Sequence, residues 1–188
     1  MGGVAKVETL DTKVWDAFKL RFPWLLINLL TAFLASLTIK SFEGVISQVV
    51  ALSSIMSIVT GMGGNAGTQT VSIIIRNIAM GNIKLKDTWK LLSKEIALGV
   101  IDGIGIGIVT GVIVSLIYGN SYLGIIICFA IVGNLVVAGV SGLLIPIVLH
   151  KLHIDPALSS SIFLTTATDV LGFFIFLSLA KLFLPFLT

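Results

Sequence analysis

The sequence predicts an all-α, multi-pass protein of the cell membrane with five transmembrane helices, a cytoplasmic N-terminus and a C-terminus outside. Of the 188 residues, 56% are hydrophobic and only 11% are charged, whereas soluble domains carry about 25% charged residues. Long apolar runs alternate with short polar connections. Of the 12 Lys and Arg residues, all but Lys40 and Lys181 fall on one side of this arrangement. The positive-inside rule assigns that side to the cytoplasm.

The N-terminal part of the chain divides into two predicted pieces. Residues 1–22 are expected to form an amphipathic segment at the membrane interface, and residues 23–188 the five-helix transmembrane pore domain. The apolar residues of the first piece recur at helical spacing: Val14, Trp15, Phe18. The first span covers about residues 24–39, with Pro23 in its first turn, where a proline is tolerated.

The second predicted segment, residues 45–79, contains an unusual polar stretch, Gly-Met-Gly-Gly-Asn-Ala-Gly-Thr-Gln at 61–69. Roughly 20 residues cross a bilayer, so this segment is expected to be tilted or kinked at its glycines. Polar groups facing lipid cost several kcal/mol each, which predicts that the stretch forms the wall of a pathway. The predicted pore-lining residues are Gly63, Gly64, Asn65, Gly67, Gln69 and, on the fifth helix, Ser161. In the alternative interpretation, Gly63 and Gly67 form a helix-packing GxxxG pair.

The third predicted span, residues 96–117, carries a glycine at every fourth position. These glycines are Gly99, Gly103, Gly107 and Gly111. The stripe predicts close approach of another helix. Asp102 is expected on the glycine side of this helix, and Glu95 is expected to pair with a nearby lysine or a lipid head group. A turn at 119–121 leads to the fourth span, residues 122–149.

The fifth predicted helix begins with Asp155 as its N-cap and extends to about residue 184. Asp169 lies near its middle, and Thr165 and Ser161 precede Asp169 by one and two turns on the same face. A carboxylate at bilayer depth is costly and usually faces a cavity, a partner or an ion. The alternative is a structural carboxylate that accepts hydrogen bonds from the neighbouring threonines.

Three stretches together resemble the MgtE family of magnesium channels. They are the nine residues at 61–69 followed by Arg76, the Asp-Pro-Ala-Leu and Phe-Leu-Thr-Thr-Ala-Thr-Asp-Val-Leu-Gly motifs within 155–172, and Arg-Phe-Pro-Trp-Leu-Leu-Ile-Asn-Leu-Leu at 21–30. The resemblance covers about residues 7–184. It departs at Ser161-Ile162, where family members often have Gly-Pro. Full-length members also carry a cytosolic N-terminal domain and a CBS pair, which are not expected in this chain.

The resemblance implies a homodimer whose second and fifth helices line a central pore. It also implies that Asp169 of each subunit holds a hydrated Mg²⁺, assisted by the backbone carbonyl of Thr165. Asp155 matches an acidic cytosolic position that binds Mg²⁺ in the family, although an Asp before a proline also has a purely structural role as a helix cap. If CBS domains are absent, as expected, a separate regulatory chain could take their place.

These observations predict a passive divalent-cation channel with Mg²⁺ as the transported ion, and neither an enzyme nor a nucleic-acid-binding protein. One Cys and two His residues provide no zinc or thiolate site, and the lysines flank the spans. Co²⁺, Mn²⁺ and Ca²⁺ stay open as competing ions. Two other functions remain as alternatives: a carrier that couples Mg²⁺ to Na⁺ or H⁺, and a membrane scaffold without transport.

Overall fold

The computed structural model describes residues 9, 11–82 and 88–187, and within these ranges the chain is helical and contains no strand. The helices are α1 (Val14–Lys40), α2 (Glu43–Ile46), α3 (Ala51–Ala79), α4 (Thr88–Tyr118), α5 (Ser121–Lys151) and α6 (Pro156–Leu182), followed by a 3-10 turn at Leu184–Phe186. The predicted all-α class is confirmed.

In the described part of the chain, four helices are long and apolar enough to cross a membrane: α1, α4, α5 and the 159–182 portion of α6. The glycine-rich helix α3 has 29 residues, and at 1.5 Å per residue it is about 44 Å long. It is therefore long enough to span but less apolar than the other four. The count of five spans and the orientation of the termini stay predictions, and the orientation rests partly on Lys6, Lys84 and Lys86, outside the described residues.

Helix α1 corrects the predicted place of Pro23. It runs without interruption from Val14 to Lys40, so Pro23 lies inside the helix rather than in its first turn. Stacked aromatic rings line its beginning: Trp15 on Phe18, and Phe18 on Phe22. Because no glycine or helix-capping residue separates the amphipathic stretch from the apolar one, a single helix accommodates both.

The predicted second segment consists of two helices rather than one. The one-turn helix α2 ends where the side chains of Ser47 and Gln48 both donate hydrogen bonds to the carbonyl of Gly44, at 3.2 and 2.8 Å. Such side-chain bonds compete with helix continuation, and α3 starts only at Ala51. Beyond that point α3 remains helical through the whole glycine-rich stretch, 61–69.

Helix α5 is the centre of the protomer and packs against α3, α4 and α6. Its side chains Ile126, Ile127, Ala130 and Ile131 are all at most 1% exposed. Helix α1 packs mainly against α6 and is otherwise exposed. The positions of α3 and α6 therefore depend on their contacts with α5.

The glycine stripe of α4 lies against another helix, as predicted, and that helix is α5. A Cβ atom would lie 2.8 Å from Val136 Cα at Gly99, 2.6 Å from Val132 Cα at Gly103, 2.9 Å from Cys128 O at Gly107 and 2.6 Å from Gly124 O at Gly111. Only glycine allows this approach of two backbones. Asp102, expected on the same side, is instead exposed. It directly precedes Gly103, and successive residues of an α-helix point in directions about 100° apart.

Two turns fix the ends of α5 and α6. Asn120 Oδ1 accepts a hydrogen bond from the backbone N–H of Tyr122 at 2.9 Å, next to Gly119 with φ +65°. Asp155 Oδ1 accepts one from the N–H of Ala157 at 3.0 Å, with a proline in the first turn. The predicted N-cap of the last helix is confirmed.

Candidate functional site

A groove of about 380 Å³ lies between α3 and α6 and is open along one side of the protomer. Its lining is Ser57, Thr60, Gly61, Gly64, Asn65 and Thr68 from α3, and Ser161, Leu164, Thr165 and Asp169 from α6. Five of the residues proposed from the sequence therefore meet in one place: Gly64, Asn65, Ser161, Thr165 and Asp169. Nearly all of this lining is small or polar, which is unusual for helices of this length and apolarity.

Asp169 is partly exposed to the groove. The hydroxyls that could satisfy it are engaged elsewhere: Thr165 donates to the carbonyl of Ser161, and Thr166 donates to that of Ile162 at 2.7 Å. Among the described residues, none donates a hydrogen bond to the Asp169 carboxylate or forms an ion pair with it. This arrangement argues against a structural carboxylate held by threonines. A carboxylate in this position is able to accept hydrogen bonds from water molecules in the groove.

The carbonyl of Thr165 lies one helical turn before Asp169 and already has a side-chain partner. Thr168 Oγ1 lies 3.2 Å from this oxygen and 3.1 Å from the carbonyl oxygen of Leu164, so its single proton serves two acceptors. Thr168 can therefore keep a hydrogen bond to Leu164 when the Thr165 carbonyl accepts from another donor. The predicted role of this carbonyl toward a hydrated ion is compatible with the local hydrogen bonds.

On its α3 side, the groove is lined in part by glycines, which have no side chain to fill it. A Cβ atom at Gly61 or Gly64 would meet nothing within 4 Å. The exposed Asn65 adds an amide, and Thr68 donates to the Gly64 carbonyl at 2.7 Å. This wall carries no charge between Ser57 and Thr68, so the charge on the groove comes from α6.

Three of the residues predicted to line the pathway do not line the groove. A Cβ at Gly63 would lie 2.3 Å from Asn134 Nδ2, and a Cβ at Gly67 would lie 2.5 Å from Leu164 Cδ1. Both glycines are buried against neighbouring helices, as the packing interpretation proposes. Gln69 is exposed beside the groove, since it is rotated about 100° from Thr68. Within the protomer, Gly63 and Gly67 therefore allow close helix packing, whereas Gly61 and Gly64 line the groove.

The groove continues toward the N-terminus of α6 in a second cavity of about 410 Å³. The two share Thr68, Ser161 and Leu164, and the second is also lined by Arg76 and Ala157. In the sequence, Arg76 belongs to a family motif and to the positive charge assigned to the cytoplasmic side, and its place on this second cavity was missed. On the groove itself, Ser57 and Thr60 were missed. Ser57, Thr60, Gly64 and Thr68 follow one another at three- and four-residue spacing, which is the signal that could have found them.

Two other acidic residues have local partners. Asp155 caps α6 through Oδ1, so its structural role is clear. Glu95 on α4 accepts a hydrogen bond from Thr70 Oγ1 on α3 at 2.9 Å, a partner that was not singled out from the sequence. Glu95 thus links α3 to α4 on the side of α3 that faces away from the groove.

Comparison with known proteins gives consistent matches. The family model of MgtE, described as a divalent cation transporter, matches residues 56–179. The chain is 33% identical over 176 residues to the magnesium transporter MgtE of Bacillus subtilis, covering 94% of this chain and 39% of that protein. The corresponding protein of Enterococcus faecalis is 31% identical over 180 residues (96% and 40%), and that of Thermus thermophilus is 32% identical over 166 residues (87% and 36%). The chain therefore spans about two fifths of the length of these relatives.

Proposed function

The chain belongs to the MgtE family of divalent cation transporters, a family of membrane transporters and not of enzymes, and we propose that it conducts hydrated Mg²⁺ passively through the groove between α3 and α6. The proposal rests chiefly on one observation. Asp169 faces the groove while the neighbouring threonine hydroxyls donate to backbone carbonyls. The names of the relatives support Mg²⁺ as the ion.

We propose that two copies of the chain form the pore, each contributing one groove. A groove open along one side cannot enclose an ion, and an ionisable group at this depth is costly when it faces lipid. A second copy, related by a two-fold axis, would cover the groove and bring the two Asp169 carboxylates face to face. The homodimer, rather than the single protomer, is then the conducting unit.

The charge and hydration of the ion account for selectivity in this arrangement. Mg²⁺ loses its water reluctantly, so a pore that passes it should contact it through its hydration shell. Two carboxylates at ~5 Å from a divalent ion, at an effective dielectric constant of ~20, give a gross attraction on the order of 10 kcal/mol before desolvation. A monovalent ion gains about half as much. Gly61 and Gly64 leave room for the waters, and Asn65 and the Thr165 carbonyl offer hydrogen-bonding groups.

Asp155 has a proposed second role beside its capping role. It starts α6 near the Arg76 end of the groove, and its charge would attract divalent ions to that end. We propose that this residue contributes to ion binding at the mouth of the pathway rather than at the Asp169 site.

The decisive experiment compares Asp169→Asn with Asp102→Asn in proteoliposomes at a clamped voltage. Both residues are carboxylates in the middle of a long helix, but only Asp169 lines the groove. We expect D169N to lower Mg²⁺ influx at least about tenfold, a change that needs only ~1.4 kcal/mol, while D102N conducts like the wild type. Unchanged influx in D169N would refute the site. Wild-type flux that requires a Na⁺ or H⁺ gradient would favour a coupled carrier instead.

A further inference from the structure

Asn134 is a polar residue at the centre of the protomer that the transport site does not account for. It lies in the middle of α5 and is 0% exposed. Its Nδ2 donates a hydrogen bond to the carbonyl of Val59 on α3 at 2.8 Å. Its Oδ1 is buried without a hydrogen-bond partner among the described residues. A half-satisfied amide is costly in a buried position, so stability alone would favour an apolar residue here.

The backbones of both groove helices lie directly against this amide. A Cβ at Gly63 of α3 would be 2.3 Å from Nδ2 and 2.8 Å from Cγ of Asn134. A Cβ at Gly172 of α6 would be 2.8 Å from Nδ2 and 2.9 Å from both Cγ and Oδ1. Ordinary carbon contacts are about 3.5–4.0 Å. The Asn134 side chain therefore acts as a spacer between α3 and α6.

The spacer lies at the same height as the groove. Gly63 is adjacent to Gly64 of the groove wall, and Gly172 follows Asp169 by three residues. Three residues of an α-helix correspond to about 4.5 Å along the axis and 60° of rotation. A sideways displacement of either backbone at the amide would thus move Asp169 or the opposite wall by a similar distance.

We propose that Asn134 is a positioning residue that sets the separation of α3 and α6 and thereby the preference of the pathway for divalent over monovalent cations. This inference rests on the proposed transport function. The planar amide has a fixed width, and its bond to Val59 fixes its orientation. A change of ~1 Å in a carboxylate–ion distance of ~5 Å alters the attraction energy by about a fifth. The resulting energy difference is twice as large for a divalent ion as for a monovalent ion.

The test uses Asn134→Leu, which keeps the number and branching of the side-chain heavy atoms but cannot donate, and measures the Mg²⁺/Na⁺ flux ratio and the melting temperature in parallel. We expect N134L to melt at or above the wild-type temperature. Its Mg²⁺/Na⁺ flux ratio should be at least threefold lower than that of the wild type. If Asn134 had a purely structural role, the substitution would lower both the flux ratio and the melting temperature, or neither. Ile131→Val, which removes one methylene from a fully buried residue one turn earlier on α5, is the control and should leave the ratio unchanged.

A second pair of variants tests the geometry independently of transport. Gly172→Ala should lower the melting temperature, because its Cβ collides with the amide. N134A combined with G172A should recover most of that loss, since the three atoms nearest to the new Cβ all belong to the Asn134 side chain.

If N134L does not fold, the flux ratio of N134A takes its place and should also be reduced. Wild-type Mg²⁺ flux with an unchanged ratio in the folded Asn134 variant would overturn this proposal alone, as would the absence of recovery in the double variant. No Mg²⁺ flux in the wild type would overturn the proposed function and this proposal with it.

Discussion

Alanine should raise stability at Gly64 but not at Gly67, although both residues belong to the same nine-residue motif. The Cβ of Gly64→Ala enters open space in the groove, so the variant gains the difference in helix propensity, about 1 kcal/mol. For a chain of this length, that corresponds to a melting temperature about 2–4 °C higher. The Cβ of Gly67→Ala lies 2.5 Å from Leu164 Cδ1 and 3.1 Å from its Cγ. Overpacking of this kind costs about 1–3 kcal/mol, which outweighs or cancels the propensity gain.

Thermal unfolding in detergent and Mg²⁺ flux in proteoliposomes together check this prediction. G64A should be more stable and conduct less, because its methyl group occupies space needed by the hydrated ion. Gly61→Ala is the matched control, since its Cβ also meets nothing within 4 Å, and it should follow G64A. The reasoning is refuted if G67A is as stable as G64A, or if G64A and G61A lower the melting temperature.

Three further changes should separate local structure from transport. Asp155→Ala removes the cap of α6 and should cost about 1 kcal/mol of stability, seen as an earlier thermal transition, which an unshifted transition would contradict. Gly111→Ala places a Cβ 2.6 Å from a backbone oxygen of α5 and should destabilise the protein severely. Gly105→Ala, on the open side of α4, should not. Equal melting temperatures of the two variants would rule out the close α4–α5 contact. Thr70→Val leaves the Glu95 carboxylate without its α3 donor and should lower stability by about 1–3 kcal/mol; a denaturation curve that matches the wild type would argue against this bond.

The structural period of a helix explains why one glycine pattern was predicted well and another only in part. The stripe of α4 repeats every fourth residue, so it lies on one face and indicates one close neighbour, which is α5. The glycines of α3 are spaced by one, two and three residues, and such spacing distributes them around the helix. The sequence shows that this segment needs small residues on several sides, but it does not show which side meets α5 or α6. That assignment depends on Asn134 and Leu164, which are distant in the chain.

The N-terminal parts of α6 and α1 show the same distinction between local and distant causes. Asp155 and the following proline form a local signal, and the N-cap was predicted correctly from it. The predicted place of Pro23 in a first turn relied on composition, whereas helical hydrogen bonding continues across this residue. The bond from Thr70 to Glu95 joins residues 25 positions apart. Nothing in either local sequence indicates that the two side chains meet.

The density of small residues in the motif follows from two requirements on a single helix. Gly61, Gly64 and Thr68 are small or polar along the groove, which the proposed passage of a hydrated ion requires, and they recur at three- and four-residue spacing on one face. Gly63 and Gly67 must lack a Cβ so that Asn134 and Leu164 fit against the backbone on another face. Only a few positions of the two turns remain for larger side chains, and Met62 uses one of them to pack against the core. A helix that met only one requirement would need about half as many glycines, so the motif is specific because it encodes the groove and its support together.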